Sequence, residues 1–217
     1  MKQDSRIEKK FVFELGDESY KFFLISGMFK ETYPIRVVNS IYFDDDNLQD
    51  VWDNISGLSK RKKLRIRWYG NLENNQVNLE KKEKIGFVTI KNIKSLRNFK
   101  DYKELSNYIN SSKFFELYFM SEKKSHLKNI LHISYERSYF ELANKKLRVT
   151  IDKNLKLYLK YPNKFINLNK NILELKYNVS DSTYVEYFIK QHGLKNRNKK
   201  FSKYVNSFVE LNDNSFI

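Results

Sequence analysis

The sequence predicts an α+β fold in which helices pack against an antiparallel sheet. Six segments alternate ionic with apolar residues, a period of two that is typical of strands with one apolar face. These segments are residues 6–13, 63–69, 79–84, 131–140, 147–152 and 172–178. Residues 99–109 and 181–192 instead place apolar residues at helical spacing, and Gly193 would end the second helix. The chain has 217 residues, of which 41% are hydrophobic, so we expect one domain spanning 1–217.

The basic segment Lys63–Gly70 is the most informative of the predicted strands. Its sequence, KLRIRWYG, places Lys63, Arg65 and Arg67 on one face and apolar residues on the other. The segment 79–84 repeats this alternation, with Glu80, Lys82 and Lys84 on one face. The Asn-rich stretch between the two segments predicts a hairpin-like connection. Cations at every second position form a ladder that could hold a polyanion.

The overall charge also favours an anionic partner. Lys and Arg number 41 against 26 Asp and Glu, giving a net charge of +15. A biased base composition, visible in the many Lys and Asn residues, is an alternative source of the lysines and explains the arginines less well. The absence of cysteine excludes disulfides and thiolate metal sites. With no apolar leader and no long apolar run, we expect a cytoplasmic protein without a transmembrane segment.

The acidic run Asp44–Asp46 has two interpretations. Three consecutive carboxylates are compatible with a metal site, but such a run between a strand and a helix more commonly forms a turn and an N-cap. We therefore predict capping of a helix whose core positions are Leu48, Val51, Trp52 and Ile55. The three histidines, His126, His132 and His192, are expected to have structural roles.

Two architectures are compatible with the alternating strands. In the first, the sheet is open and its charged faces meet water, and periodicity alone favours this arrangement. In the second, the sheet closes into a barrel with its ionic faces inward and helices outside. Repulsion between neighbouring cations, roughly 4 kcal/mol for unit charges 4 Å apart at an intermediate dielectric, would then require a bound anion. Arg forks match the oxygens of a triphosphate.

The order of the charged segments resembles the VTC domain of polyphosphate polymerases, a branch of the triphosphate tunnel metalloenzymes. Eight short pieces stand in the family's order and together span almost the whole chain. They are Arg6-x-Glu8-x-Lys10, Ser40–Asp44, Lys63–Tyr69, Leu79–Lys82, Tyr135-x-Arg137, Arg148-x-Thr150-x-Asp152, Glu174–Lys176 and Phe201–Tyr204. No single piece is specific for this family, but eight pieces in the same order are hard to obtain by chance. The resemblance implies the second architecture, a closed antiparallel β-barrel with helices packed around the outside.

The resemblance also implies which residues bind phosphates. The expected phosphate-binding residues are Lys10, Arg65, Arg67, Lys82, Tyr135, Arg137, Arg148, Ser202 and Lys203. Among them, Lys82, Arg65, Arg67 and Arg137 are expected to be catalytic. Tyr135 and Ser202 would donate hydrogen bonds to phosphate oxygens. Glu174 would be the principal ligand of Mn²⁺ or Mg²⁺, with Glu8 and Glu80 as further metal candidates.

The function implied by the resemblance is transfer of the terminal phosphate of ATP to a polyphosphate chain. The expected partners are thus ATP and polyphosphate or another triphosphate, and a membrane-bound partner protein is compatible with the family. Two alternatives use the same site: hydrolysis of an inorganic or nucleoside triphosphate, and binding without catalysis. A nucleic-acid partner is not expected, because the cations are spread over alternate strand positions rather than clustered in one stripe.

Overall fold

A computed structural model describes residues 6–73, 75–86, 88–111, 127–194 and 201–213. The strands are β1 (Arg6–Glu14), β2 (Lys30–Asp45), β3 (Lys60–Tyr69), β4 (Asn78–Ile85), β5 (Val88–Ser95), β6 (Leu127–Glu141), β7 (Arg148–Lys160), β8 (Lys164–Leu168) and β9 (Lys170–Asn178). The helices are α1 (Ser19–Ser26), α2 (Gln49–Ile55), α3 (Tyr102–Ile109), α4 (Ser182–Gln191) and α5 (Lys203–Asp213). The predicted α+β class is confirmed.

The strands form one antiparallel sheet in the order β1-β9-β7-β6-β2-β3-β4-β5, with β8 paired to β7. The closed barrel expected from the resemblance is not supported: within the described ranges no ladder joins β1 to β5. Side-chain alternation determines which face is charged, but it does not determine whether two sheet edges pair. The sheet nevertheless curls enough to bring Lys82 on β4 into contact with Glu8 on β1. Lys82 Nζ and Glu8 Oε2 are 2.6 Å apart.

The two faces of this sheet differ in chemistry. We call the face that carries Arg65, Arg137 and Glu174 the inner face. On the outer face, one apolar cluster packs β1, β7 and β9 against α1 and α4, and a second packs β2, β3 and β4 against α3. A third cluster covers part of the inner face, where Tyr204 of α5 stacks on Tyr42 with ring centroids 5.0 Å apart. Helix α5 therefore packs on the inner face beside the ionic residues.

The acidic run Asp44–Asp46 caps α2, as predicted. Asp44 is fully buried, and its carboxylate accepts hydrogen bonds from the backbone N–H groups of Asp50 and Val51. Tyr204 donates a third hydrogen bond to Asp44. The predicted core face of α2 is only partly correct, because Val51 is buried whereas Trp52 and Ile55 are 55% and 47% exposed.

Other predicted elements are also present. Asp101 caps α3 by accepting a hydrogen bond from the N–H of Glu104, and Gly193 follows α4 with a positive φ of 77°. Strand β8 was not predicted. The sequence also predicts a helix at 114–120 and a basic loop at 195–200, and both lie outside the described residues. No described helix is long and apolar enough to cross a membrane.

Candidate functional site

The inner face brings together ionic side chains from seven strands and from the start of α5. Strand alternation explains this convergence, since residues two apart on a strand point to the same side. The cations are Lys10, Lys63, Arg65, Arg67, Lys82, Lys91, Arg137, Lys176 and Lys203, and the acids are Glu8, Glu80, Asp152 and Glu174. These residues form neighbouring groups of ion pairs on the inner face, and we call the whole set the ionic cluster.

Glu80 and Arg65 form one end of the ionic cluster. They are opposite each other in the β3–β4 ladder, and Arg65 Nη2 and Nε lie 2.6 and 2.8 Å from Glu80 Oε2. Lys91 contacts the other carboxylate oxygen at 2.7 Å. Burial raises the pKa of Glu80, but the charges of Arg65 and Arg67 outweigh it and lower the pKa to about 2. Glu80 thus remains ionised and holds Arg65 in place.

Arg67 lies deeper on the same strand. Its guanidinium donates to the hydroxyl of Tyr135 at 3.0 Å and to that of Ser40 at 3.2 Å. Glu80 is 3.9 Å away, so neutral hydroxyls provide the closest contacts of this buried cation. Hydroxyl partners leave its charge only partly compensated, and an anion would complete the compensation.

Arg137 is held by a fork of two hydrogen bonds to Asp152, its partner in the β6–β7 ladder. The distances are 2.5 Å from Nε to Oδ1 and 2.8 Å from Nη2 to Oδ2. Lys203 pairs with the same carboxylate. Arg137 and Lys203 also lie over the ring of Tyr135, at 5.2 and 4.8 Å from its centroid. One acid therefore positions two cations, and the three groups together keep a positive charge.

Glu174 occupies the β9 side of the cluster. Its contacts are longer: Lys176 at 3.3 Å, Lys10 at 3.8 Å and Arg137 at 3.9 Å. Burial raises the pKa of Glu174, but Lys176 and Lys10 oppose it and hold the pKa well below its ordinary value. Glu8 is close enough for its pKa to be raised by burial and by Glu174, although Lys82 and Lys176 lower it overall.

Three lysines crowd together beside α5. Lys63 Nζ donates to Ser202 Oγ at 2.5 Å, and Lys10 Nζ donates to the carbonyl of Phe201 at 3.2 Å. Burial lowers the pKa of Lys10 to about 8. Burial, with the like charges of Lys10 and Lys82, lowers the pKa of Lys63 well below its ordinary value. The charged forms of both lysines are therefore destabilised, and a bound anion would stabilise them.

The ionic cluster holds more positive than negative charge. Nine cations face four carboxylates, which leaves a surplus of five, or of three if Lys10 and Lys63 are neutral. At an intermediate dielectric, each pair of like charges about 4 Å apart costs about 4 kcal/mol. A polyanion of similar charge is the ligand class that this arrangement favours.

The structure brings most of the predicted site residues together, but it places three of them in unexpected settings. Arg148 is on the correct face of β7, yet its side chain is 59% exposed and its Nε contacts Glu141 at 3.0 Å. Ser202 accepts the hydrogen bond from Lys63, and its Oγ also accepts from the N–H of Val205, capping α5. Glu80 is enclosed by cations rather than adjacent to Glu174.

The predicted site residues did not include four members of the cluster: Lys63, Lys91, Asp152 and Lys176. The signal was present in the strand alternation. Lys63 shares its face with Arg65, and Lys176 shares its face with Glu174. Asp152 was visible in the Arg148-x-Thr150-x-Asp152 piece, but its partners Arg137 and Lys203 could only be identified in three dimensions.

The carboxylates of the ionic cluster are the groups available to hold a divalent cation. No group of three His, Asp or Glu residues within the described part of the chain is arranged to hold a metal. Glu174 with Glu8 supplies two neighbouring carboxylates, which suits Mg²⁺ when phosphate oxygens and water provide the other ligands. The donor set therefore fits a metal that arrives with a phosphate substrate.

Comparison with known protein families gives one match, to the VTC domain, over residues 28–212. Among curated proteins there is no match. Solved structures with the same fold include a protein from Pyrococcus horikoshii, with 15% identity, a TM-score of 0.55, and coverage of 95% of this chain and 99% of that chain.

Two further structures share the fold. A candidate adenylyl cyclase from Hippeastrum, described as having a dominant triphosphatase activity, has 13% identity, a TM-score of 0.53, and coverage of 94% of this chain and 95% of that chain. A candidate adenylate cyclase from Bacillus halodurans has 16% identity, a TM-score of 0.50, and coverage of 88% and 92%. At these identities the similarity extends to the fold.

Proposed function

This chain belongs to the VTC domain family, and from that premise we propose that it transfers the terminal phosphate of ATP to the end of a polyphosphate chain. The surplus of buried positive charge on the inner face is the observation that carries this proposal. A nucleic-acid duplex would need an exposed basic surface, whereas Arg67, Arg137 and Lys203 are each less than 9% exposed. Linear phosphate chains are thin and highly charged, and so fit a narrow ionic cluster.

Arg65, Arg67 and Arg137 are the groups proposed to hold the transferred phosphoryl group. Their forks are already oriented by Glu80, Tyr135 and Asp152. Preorganised donors stabilise the charge of the transition state without having to reorient, and phosphoryl transfer depends mainly on such positioning and neutralisation. Tyr135 is placed to give its hydroxyl hydrogen to a phosphate oxygen, because that hydroxyl already accepts from Arg67.

The lysines beside α5 are proposed to bind the acceptor chain. Burial, together with the like charges of neighbouring lysines, lowers the pKa of Lys10 and of Lys63. Terminal phosphate oxygens of polyphosphate are largely deprotonated at neutral pH, so no general base is required for their attack. In the proposed reaction, an oxygen of the acceptor chain forms a bond to the γ-phosphorus of ATP. The bond between that phosphorus and the oxygen bridging to the β-phosphate breaks, and ADP is released.

A divalent cation, Mn²⁺ or Mg²⁺, would be held by Glu174 together with Glu8 and would neutralise charge on the phosphate oxygens. Glu80 is proposed to position Arg65 instead. Its three nearest cationic atoms lie within 2.8 Å, and a metal ion there would have to displace them.

Triphosphate hydrolysis is the second candidate, and two observations favour it. One is the dominant triphosphatase activity described for the Hippeastrum protein of the same fold. The other is Lys10, whose pKa of about 8 gives a neutral fraction able to accept a proton from an attacking water.

The deciding experiment incubates the purified chain with ATP and Mn²⁺ or Mg²⁺ and separates long polyphosphate from free phosphate by gel electrophoresis. We expect polyphosphate to accumulate with an equivalent amount of ADP. Free phosphate as the sole product would establish the triphosphatase instead. No turnover of ATP or of tripolyphosphate with either metal would overturn both.

A further inference from the structure

A row of side chains crosses the inner face from its aromatic rim to the ionic cluster. Tyr33 on β2 pairs with Tyr139 on β6, Tyr139 with Thr150 on β7, Thr150 with Glu174 on β9, and Glu174 with Lys10 on β1. Each pair is directly opposite in its ladder. The row therefore joins two tyrosines to the proposed metal ligand through one threonine.

The aromatic end of the row is a cluster of two tyrosine rings and one guanidinium. The rings of Tyr33 and Tyr139 meet edge to face with centroids 5.6 Å apart. The guanidinium of Arg36 lies over both rings, 5.3 and 5.9 Å from their centroids. Tyr33 is 55% exposed, so this platform is accessible to a planar ligand. Aromatic rings and Arg planes are the groups on which nucleic-acid bases stack.

Thr150 provides an independent sign of a ligand. Its hydroxyl lies in a residue only 8% exposed, and it has no hydrogen-bond partner among the residues that the structure describes. A buried hydroxyl left unpaired costs about 1–3 kcal/mol. Since Thr150 stands between Tyr139 and Glu174, a molecule lying along the row would supply the missing partner.

The spacing of the row selects the ligand class. Neighbouring strands are about 4.8 Å apart, so Tyr139 and Glu174, two strands apart, are separated by roughly 10 Å. That span accommodates a sugar and its first phosphates, with a base at Tyr139 and the later phosphates at Glu174. An inorganic triphosphate bound in the ionic cluster would leave the aromatic platform and Thr150 unused.

We propose that Tyr33, Arg36 and Tyr139 bind the base of a nucleoside triphosphate, while Thr150 donates a hydrogen bond to its sugar-phosphate part. This inference rests on the proposed function, because it assumes that the phosphates lie in the ionic cluster. It identifies the phosphate donor as a nucleotide rather than an inorganic polyphosphate.

Binding of ATP and of inorganic tripolyphosphate to the full chain, measured by calorimetry in EDTA to prevent turnover, tests the proposal. Tyr139→Leu keeps apolar bulk but removes the ring, and we expect the Kd for ATP to rise about tenfold, in line with the loss of one base-stacking contact. The Kd for tripolyphosphate should change less than about twofold. Thr150→Val, which is isosteric, should weaken ATP binding about fivefold, as loss of a single hydrogen bond does, without lowering the unfolding temperature.

The matched control is Tyr187→Leu, because Tyr187 lies on α4 away from the row and is 64% exposed; its ATP affinity should equal that of the wild type. Equal weakening of both ligands in Tyr139→Leu, or unchanged ATP binding in both Tyr139→Leu and Thr150→Val, would overturn the base site and leave the proposed function intact. Failure of the wild type to bind either ligand would overturn the proposed function as well.

Discussion

Glu80 and Glu174 are both buried acids of the inner face, yet they have different surroundings. Glu80 has three cationic nitrogens within 2.8 Å, whereas the nearest cation to Glu174 is 3.3 Å away. Glu174 also lies close enough to a second acid, Glu8, for the two charges to repel each other. Short, complete ion pairs fix Arg65 in place. Longer pairs beside a second carboxylate can be exchanged for a metal ion and phosphate, so we propose different roles for the two glutamates.

Asp152 extends this comparison as the most tightly held acid. It is fully buried and pairs with both Arg137 and Lys203. Asp152→Asn would leave two buried cations without their counter-charge, and we expect a loss of about 3–5 kcal/mol in unfolding free energy. Urea denaturation measures this loss. Glu141→Gln, which removes the partner of the exposed Arg148, is the control and should cost less than about 1 kcal/mol. Equal costs would show that Asp152 is not a structural anchor.

Exchange of each glutamate for glutamine tests the difference in metal binding. We expect Glu174→Gln to reduce turnover at least about 100-fold and to weaken Mn²⁺ binding, followed by electron paramagnetic resonance with tripolyphosphate present. Glu80→Gln should leave Mn²⁺ affinity within about threefold while raising the KM for ATP, because Arg65 loses its anchor. If Glu80→Gln weakened Mn²⁺ as much as Glu174→Gln does, the assignment of roles would be wrong.

His132 represents the opposite case, an ionisable group buried on the outer face with no charged partner among the described residues. Its ring lies among Trp68, Tyr102, Tyr158 and Tyr161, and both ring nitrogens lack a hydrogen bond to the described residues. Burial lowers its pKa from 6.5 to about 3. This supports the predicted structural role of His132.

The lowered pKa of His132 makes stability depend on pH. Between pH 6.5 and 3 the unfolded chain binds a proton that the folded chain excludes, so stability is complete above pH 6.5 and falls as the pH decreases. We expect a loss of about 2 kcal/mol between pH 6.5 and 4.5, above the range where Glu80 titrates. His132→Phe should remove this slope in urea denaturation. An unchanged slope in His132→Phe would show that other groups cause it.

Strand alternation was sufficient to predict the ionic face, because Arg65, Arg67 and Glu174 are defined by a period of two. It could not predict how deeply a side chain at a given position along a strand is buried. Arg148 shares a face with Asp152, but it stands at the first residue of β7 and points into solvent. Nor could it predict long-range partners such as Lys82 and Glu8, 74 positions apart.

The edges of the sheet and the exposed face of α2 were also beyond the reach of local patterns. Whether β1 and β5 pair depends on how far the whole sheet curls, which is a sum over nine strands. Trp52 and Ile55 fit a helical apolar face, but α2 lies at the surface, where Val51 is buried, Leu48 packs partly buried beside the core, and Trp52 and Ile55 stay exposed. Local periodicity predicts which residues share a face of a helix or strand, but it does not predict what packs against that face.

Calorimetric titration of tripolyphosphate into the full chain tests most directly whether the ionic cluster is the phosphate site. Arg65→Met and Arg148→Met each remove one arginine charge from the same face, one inside the cluster and one at the exposed end of β7. We expect tripolyphosphate to bind at least about tenfold more weakly to Arg65→Met, and within about twofold of the wild-type affinity to Arg148→Met. Equal losses in the two variants would contradict this assignment of the phosphate site, because net charge alone would then explain the affinity.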